Sequence, residues 1–214
     1  MKTTKISDLG AVRDMYDAEA ESYSRMMDSE MEHPLYADTL GRLKTRVANL
    51  AGAIVDAPCG SGHMLSMYHE DYDKERALYG IDLSPSMVAI AAKRLGDAAE
   101  FVVGDIRNLE SVPSGSAAAI ISHFAIHHLD VGGVGDALAE WHRVLQAGGQ
   151  LVIGAWEGEG AIDYGDDSDI SAIMHGADAL ETMIREIGFS ISRNVVEMDN
   201  EMMMNAVYIE ATRE

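Results

Sequence analysis

Six residues of this chain stand where short apolar runs give way to loops, and their types could hold a small ligand and act on it. Asp56 follows Ala53-Ile54-Val55, Asp82 follows Tyr79-Gly80-Ile81, Asp105 follows Val102-Val103-Gly104, and His123 follows Ala117 to Ser122. The other two, Gly60 and Gly62, lie in Pro58-Cys59-Gly60-Ser61-Gly62. Glycines there let the backbone approach a ligand where a Cβ would collide with it. Asp82 follows Gly60 by 22 positions, close to the ~20-residue interval at which an acidic side chain reaches a ribose diol. A carboxylate suits that task because it accepts hydrogen bonds and offers no donor. The chemistry these residues suggest is that of binding a nucleoside.

A second group carries titratable or aromatic side chains. His127 and His128 are the candidates for a general base, since an ordinary imidazole titrates near neutral pH. A structural role for the pair is the preferred reading, because geometry must come before chemistry. Adjacent residues diverge, so one of the two faces a pocket, and His128 is favoured for it. Tyr16 and Tyr23 either reach a ligand or pack against a second helix. Trp156 borders a substrate pocket or anchors the sheet rim. Tyr164 lies among Asp163, Asp166, Asp167 and Asp169, a run that attracts a cationic amine or is simply solvated. Eight histidines are present, but no Glu-x-x-His or cysteine cluster supports a metal site. Met202-Met203-Met204 reads as filler beneath a hairpin, with a contact surface as the alternative.

Elements must position these groups. Helices are expected over Asp8–Met27 and Pro34–Leu50. Strands over Ala53–Asp56, Ala77–Asp82, Glu100–Val103, Ala117–Ser122 and Gln150–Trp156 alternate with helices from His63, from Pro85 through Leu95 behind a Ser84 cap, and over Val134–Leu145. A helix over Ala177–Ile187 ends at Gly188 as at a C′ glycine. Strands over Ser190–Glu197 and Asn205–Ala211 are close enough to form an antiparallel hairpin. The expected fold is α/β: a doubly wound, mostly parallel seven-stranded sheet with an antiparallel C-terminal hairpin. One domain spans 1–214, with a helical cap over 1–50 and a lid loop over 157–175.

Composition bounds the function. The chain has 214 residues and 47% hydrophobic content, which suits one globular domain. No apolar run approaches the ~20 residues of a membrane span, and the start lacks a secretory signal. A single cysteine, Cys59, excludes an internal disulfide framework. A cytoplasmic monomer or homodimer is expected. The 36 Asp and Glu outweigh 16 Lys and Arg, for a net charge of −20. That surface repels phosphate backbones and argues against nucleic-acid partners. It reflects a solubility adaptation more readily than a preference for cationic or neutral substrates.

Together the segments resemble class I S-adenosylmethionine (SAM)-dependent methyltransferases from about Asp8 onward. Val55-Asp56-Ala57-Pro58-Cys59-Gly60-Ser61-Gly62 is similar to that family's first motif, although Pro58 stands where glycine is common. Gly80-Ile81-Asp82-Leu83-Ser84, Gly104-Asp105-Ile106, the stretch from Ser122 through His127-His128-Leu129, and Arg143 to Gln150 match later segments in order. The resemblance implies that Asp56 and the Ala57 and Gly60 backbones face the methionine moiety, and Asp82 the ribose. It puts Leu83, Met87 and Ile106 around the adenine, Asp105 on its amine, and the His123 backbone near the sulfonium. Tyr16 and Tyr23 match a first helix that covers the cofactor. The implied function is methyl transfer from SAM to an N, O or S atom of a small-molecule acceptor, with Tyr16, His128, Trp156 and Tyr164 at the substrate. Alternatives are a macromolecular substrate such as RNA or protein, or SAM binding without transfer. An NAD-type oxidoreductase is disfavoured.

Overall fold

The computed structural model describes residues 7–163, 170–199 and 202–214. The chain opens with α1 (Leu9–Glu30) and α2 (Pro34–Val47), then alternates β1 (Ala53–Asp56), α3 (His63–Asp71), β2 (Leu78–Asp82), α4 (Pro85–Leu95), β3 (Glu100–Val103), β4 (Ala117–His123), α5 (Val131–Val144) and β5 (Leu145–Trp156). After β6 (Ala161–Asp163) and β7 (Ser171–Ile173) come α6 (Ala177–Glu186), β8 (Phe189–Asp199) and β9 (Met204–Arg213).

Strand alternation explains the core. Val55, Ile120 and Ile153 point to one face, where they meet Leu138 and Trp141 of α5 and Ile184 of α6. Ile54, Ile121 and Val152 point to the other, against Leu40 and Leu43 of α2 and Leu65 of α3. Period-two alternation with both faces covered is why these strands read as unbroken apolar runs. Trp141 is fully buried, and its indole N–H donates to the Ile106 carbonyl at 3.0 Å.

The seven-stranded sheet runs β3-β2-β1-β4-β5-β9-β8. β1 to β5 are parallel, whereas β9 runs antiparallel to β5 and pairs with β8 as a hairpin. The order reverses between β1 and β4, so the crevice where open α/β sheets bind ligands lies beyond Asp56 and His123.

Local signals set most boundaries. Ser84 caps α4 by accepting from the Met87 N–H at 3.1 Å, with Pro85 in the first turn. Gly188 follows α6 with φ +104°, a conformation glycine adopts without strain. α5 begins three residues earlier than Val134 because the Asp130 carboxylate accepts from the Gly133 N–H at 2.8 Å. That cap overrides the helix-weakening of Gly132 and Gly133. The segment 157–175, expected as a loop, holds β6 and β7 paired antiparallel in its described part. Ser171 is buried there, its carbonyl accepting from Ser7 Oγ at 2.6 Å. Met202 and Met203 do not fill space beneath the hairpin. They are 56% and 76% exposed at its tip. Among the described residues no helix is long and apolar enough to cross a membrane.

Candidate functional site

β1 ends in a turn that only glycine adopts easily: Gly60 has φ +48° and Gly62 φ +81°. At Gly62 a Cβ would stand 3.0 Å from that of Ala91, so the bare backbone also lets α3 and α4 approach. At Gly60 the nearest atom to such a Cβ would be Tyr23 Cε1 at 3.7 Å, so the space over this turn is open. Asp82 closes the turn from β2. Its Oδ2 accepts from the Gly60 N–H at 2.8 Å and its Oδ1 from the Ser84 N–H at 2.9 Å. The carboxylate expected at the ribose therefore also clamps the loop. It has about four lone-pair sites, so acceptor capacity remains. Burial pushes its pKa up to about 6, against the lowering effect of these N–H donors.

Asp56 stands beside it, 2% exposed, with no hydrogen-bond partner for its carboxyl among the described residues. Burial, helped by the Asp82 charge, holds its pKa well above the usual carboxylate range. The two acids line one cavity with Gly60, Leu83, Met87, Asp105 and Ile106. Asp105 is less free than its position suggested. Burial would raise its pKa, but Arg107 outweighs that and lowers it, with Nη2 at 2.6 Å and the backbone N–H at 2.9 Å.

α1 supplies the roof. Tyr16 and Tyr23 both line the cavity, edge to face with centroids 6.0 Å apart, rather than packing into the core. Burial pushes the Tyr23 hydroxyl up to about 12, with the Asp82 and Asp56 charges adding to it. Two aspartates tether this helix. Asp17 accepts from the Ser86 N–H at 2.9 Å and from Ser84 Oγ. Asp28 pairs with His63 Nε2 at 2.8 Å and Arg94 Nη2 at 3.1 Å, and His63 Nδ1 meets Ser61 Oγ at 3.0 Å. The roof is thus tied to both the glycine loop and the start of α4.

Of the histidines, His128 lines the cavity, its Nε2 3.1 Å from Tyr16 Oη. His127 is buried next to it, ring centroids 4.1 Å apart, and is not among the residues that line the cavity. Burial lowers both pKa values, that of His128 to about 4. His123 is among the residues that line the cavity, and both its ring nitrogens are buried. Three further expectations change. The Ala57 N–H donates to the Ile121 carbonyl at 2.9 Å and Ala57 is not at the cavity, so the sheet consumes that donor. Trp156 is not among the lining residues either: its ring lies against that of Phe124, centroids 4.6 Å apart and tilted 45°. Tyr164 lies outside the described residues.

Sequence reasoning missed Tyr36, Phe124, Met27, His63 and Met64, all of which line the cavity. Only Phe124 offered a hint, as the residue directly after a strand end; its φ of +50° is unusual for a side chain of that size. Among the described residues no three His, Cys, Asp or Glu side chains converge as a metal ion would require.

Comparison with known proteins gives a consistent picture. Residues 54–149 match the model of a methyltransferase domain. An uncharacterized methyltransferase of Geobacillus thermodenitrificans is 29% identical over 143 residues, 65% of this chain and 64% of its own length. One from Geobacillus kaustophilus is 30% identical over the same shares. The chain therefore matches about 64% of the length of these curated relatives. Among solved structures, a Burkholderia thailandensis 1,6-didemethyltoxoflavin-N1-methyltransferase with bound 1,6-didemethyltoxoflavin and S-adenosylhomocysteine superposes with TM-score 0.74 at 17% identity, over 95% of this chain and 88% of that one. Magnesium protoporphyrin IX methyltransferase of Synechocystis with bound SAM gives 0.73 at 17% identity over 100% of both chains. At such identity the superpositions speak for the fold.

Proposed function

We propose that the chain is a class I SAM-dependent methyltransferase, a reading supported by the methyltransferase-domain match over residues 54–149, and that it transfers a methyl group from SAM to a nitrogen, oxygen or sulfur atom of a small molecule. The observation that carries this reading is the cavity at the sheet's switch point. There a buried carboxyl without a partner, Asp56, stands beside the open Gly60 turn and the Asp82 clamp.

The residues present fit that cofactor. A buried carboxyl ionises readily only against a cation, and the cofactor's amino-acid end carries one. Asp82 keeps lone pairs for sugar hydroxyls. Leu83, Met87 and Ile106 offer apolar surface to a flat base, next to an Asp105 shared with Arg107. When bound, SAM supplies a methyl group already activated on a sulfonium. The protein's part is then to position a nucleophile and exclude water, worth ~7–11 kcal/mol when the geometry is good. Tyr16 and Tyr23 cover the site from α1. His123 and His128, held neutral by burial, place no positive charge near a sulfonium. His128, bonded to Tyr16, orients that hydroxyl over the cavity and is the group nearest to hand for moving a proton.

A small acceptor is supported by the roofed cavity, by the charge of −20, and by the small-molecule substrates named for the two solved relatives. Titration calorimetry with SAM, S-adenosylhomocysteine and NAD tests the cofactor: the first two bind and NAD does not. Mass spectrometry of amine, hydroxyl and thiol panels incubated with SAM then reads transfer. A folded chain that ignores SAM would end this reading.

A further inference from the structure

One group in the cavity is left without a purpose by cofactor binding. Both ring nitrogens of His123 are buried, and neither has a hydrogen-bond partner; among the described residues it is the only ring with both nitrogens so stranded. A neutral imidazole carries one N–H and one lone pair. Burying both unsatisfied costs stability, and such groups in folded proteins call for an explanation.

Its surroundings are specific. β4, β5 and β9 place His123, Gly154 and Tyr208 side by side. Gly154 has no side chain to part the other two: a Cβ there would stand 3.2 Å from His123 Cγ and 3.3 Å from Nδ1. Around the imidazole stand Tyr36 (centroid 6.1 Å, tilted 44°), Phe124 (6.1 Å, edge-on at 89°) and Tyr208 (6.2 Å, tilted 47°). Tyr36, His123 and Phe124 line the cavity, with Trp156 against Phe124. Carboxylates back the tyrosines. Tyr36 donates to Glu30 Oε1 at 3.1 Å, and Glu30, Glu197 and Asp199 lie close enough to Tyr208 to oppose its ionisation. No Lys or Arg lines the cavity among the described residues.

Resting on the methyl-transfer reading above, we infer that Tyr36, His123 and Phe124, with Tyr208 packed beside His123, form the seat of the methyl acceptor, and that the acceptor is a primary or secondary amine. The amine first gives its extra proton to water and reacts as the neutral base; the His123 lone pair accepts its N–H, which turns the nitrogen's own lone pair toward the incoming methyl. That nitrogen bonds the methyl carbon, the broken carbon–sulfur pair stays on sulfur, and the ammonium proton then leaves to water. Positive charge grows on nitrogen as the bond forms, and aromatic faces backed by carboxylates stabilise it. A carboxylate or phenolate acceptor meets the opposite: negative surroundings and no cation to hold it.

The test uses benzylamine, phenethylamine and N-methylphenethylamine beside matched phenols and arylalkanoates. Binding is followed by saturation-transfer NMR with S-adenosylhomocysteine present, and product by mass spectrometry with SAM. The amines are expected to bind and to gain a methyl on nitrogen. His123→Phe keeps a ring but no nitrogen, and should weaken amine binding about tenfold, the scale for one unpaired polar group. S-adenosylhomocysteine affinity, read by calorimetry, should fall less than amine binding does. Gly154→Ala, which presses on the imidazole, should do the same, and His123→Gln should restore part of the binding. Amine binding unchanged in both His123→Phe and Gly154→Ala, transfer only to phenols or carboxylates, or S-adenosylhomocysteine binding with no amine bound would each overturn the inference alone. A wild-type chain that binds no S-adenosylhomocysteine would overturn the parent reading as well.

Discussion

The cavity has two differently built sides. One is a floor of strand ends and turns, where Asp82 grips the Gly60 and Ser84 backbones and Asp56 stands alongside. The other is a wall of rings, Tyr36, His123 and Phe124, gathered from α2 and from β4 and the residue after it. The floor is acidic and stitched by main-chain hydrogen bonds. The rings of the wall are uncharged, with a carboxylate behind Tyr36, and its imidazole has no such stitching. Rigid backbone donors suit a cofactor of fixed shape, whereas packed rings are open to change when a different acceptor must fit.

The largest effect separating the two sides should follow from Asp82→Ala. It removes two hydrogen bonds to a charged group, each worth about 1.5–3 kcal/mol, but also relieves the burial of that charge, so we expect a net loss of up to ~3 kcal/mol of stability in denaturant melts and weaker SAM binding by calorimetry. Asp82→Asn should lose less, because an amide oxygen still accepts. If both properties survived Asp82→Ala, the floor would not be the stitched element described.

Acid should distinguish floor from wall by sign. Burial raises the Asp82 carboxyl from 3.8 to about 6, so the fold holds that proton more tightly than the unfolded chain does. Its ionisation costs stability above pH 6, and the cost is relieved as pH falls from about 6 to 4. Burial lowers His123 from 6.5 to about 4, so the fold refuses a proton that the unfolded chain accepts. Its contribution is therefore lost as pH falls from 6.5 to 4, on the order of 3 kcal/mol. Melts of His123→Phe at pH 7 and 4.5 should show the variant gaining ~2–3 kcal/mol on the wild type at the lower pH. Parallel curves would mean that His123 titrates as an exposed residue.

Gly62→Ala probes the floor alone. It forces a side chain into φ +81° and against Ala91, and should cost ~1–3 kcal/mol by chemical denaturation. The smallest effect is expected from Tyr16→Phe, which removes the hydroxyl facing His128 at 3.1 Å. A loss of about 1 kcal/mol is the usual scale for one neutral hydrogen bond. Thermal melts would check it.

The floor was legible in the sequence because its causes are local. A strand run, a glycine pair and an acid 22 positions on mark strand ends, and Ser84-Pro85 announces its own helix. The wall was not, because Tyr36, Phe124 and Tyr208 meet only after the sheet has ordered its strands. Nothing near Tyr36 in sequence says that α2 will lay it against His123. Local reading also misjudged groups with competing partners. Asp105 was expected on the adenine amine but is shared with Arg107, and the Ala57 backbone was expected to face the methionine moiety but its N–H bonds to β4. The ribbon of β6 and β7 was hidden by a Gly- and Asp-rich composition that reads as loop.

The place of β9 carries a further consequence. It lies between β5 and β8, which share no direct pairing. Until residues 204–213 insert, β5 presents an unpaired edge and β8 has no sheet to join. During folding, the slot filled by this one antiparallel strand is where another extended chain could add. The same insertion delivers Tyr208 opposite His123, so the step that joins β8 to the sheet also completes the ring of side chains around the imidazole.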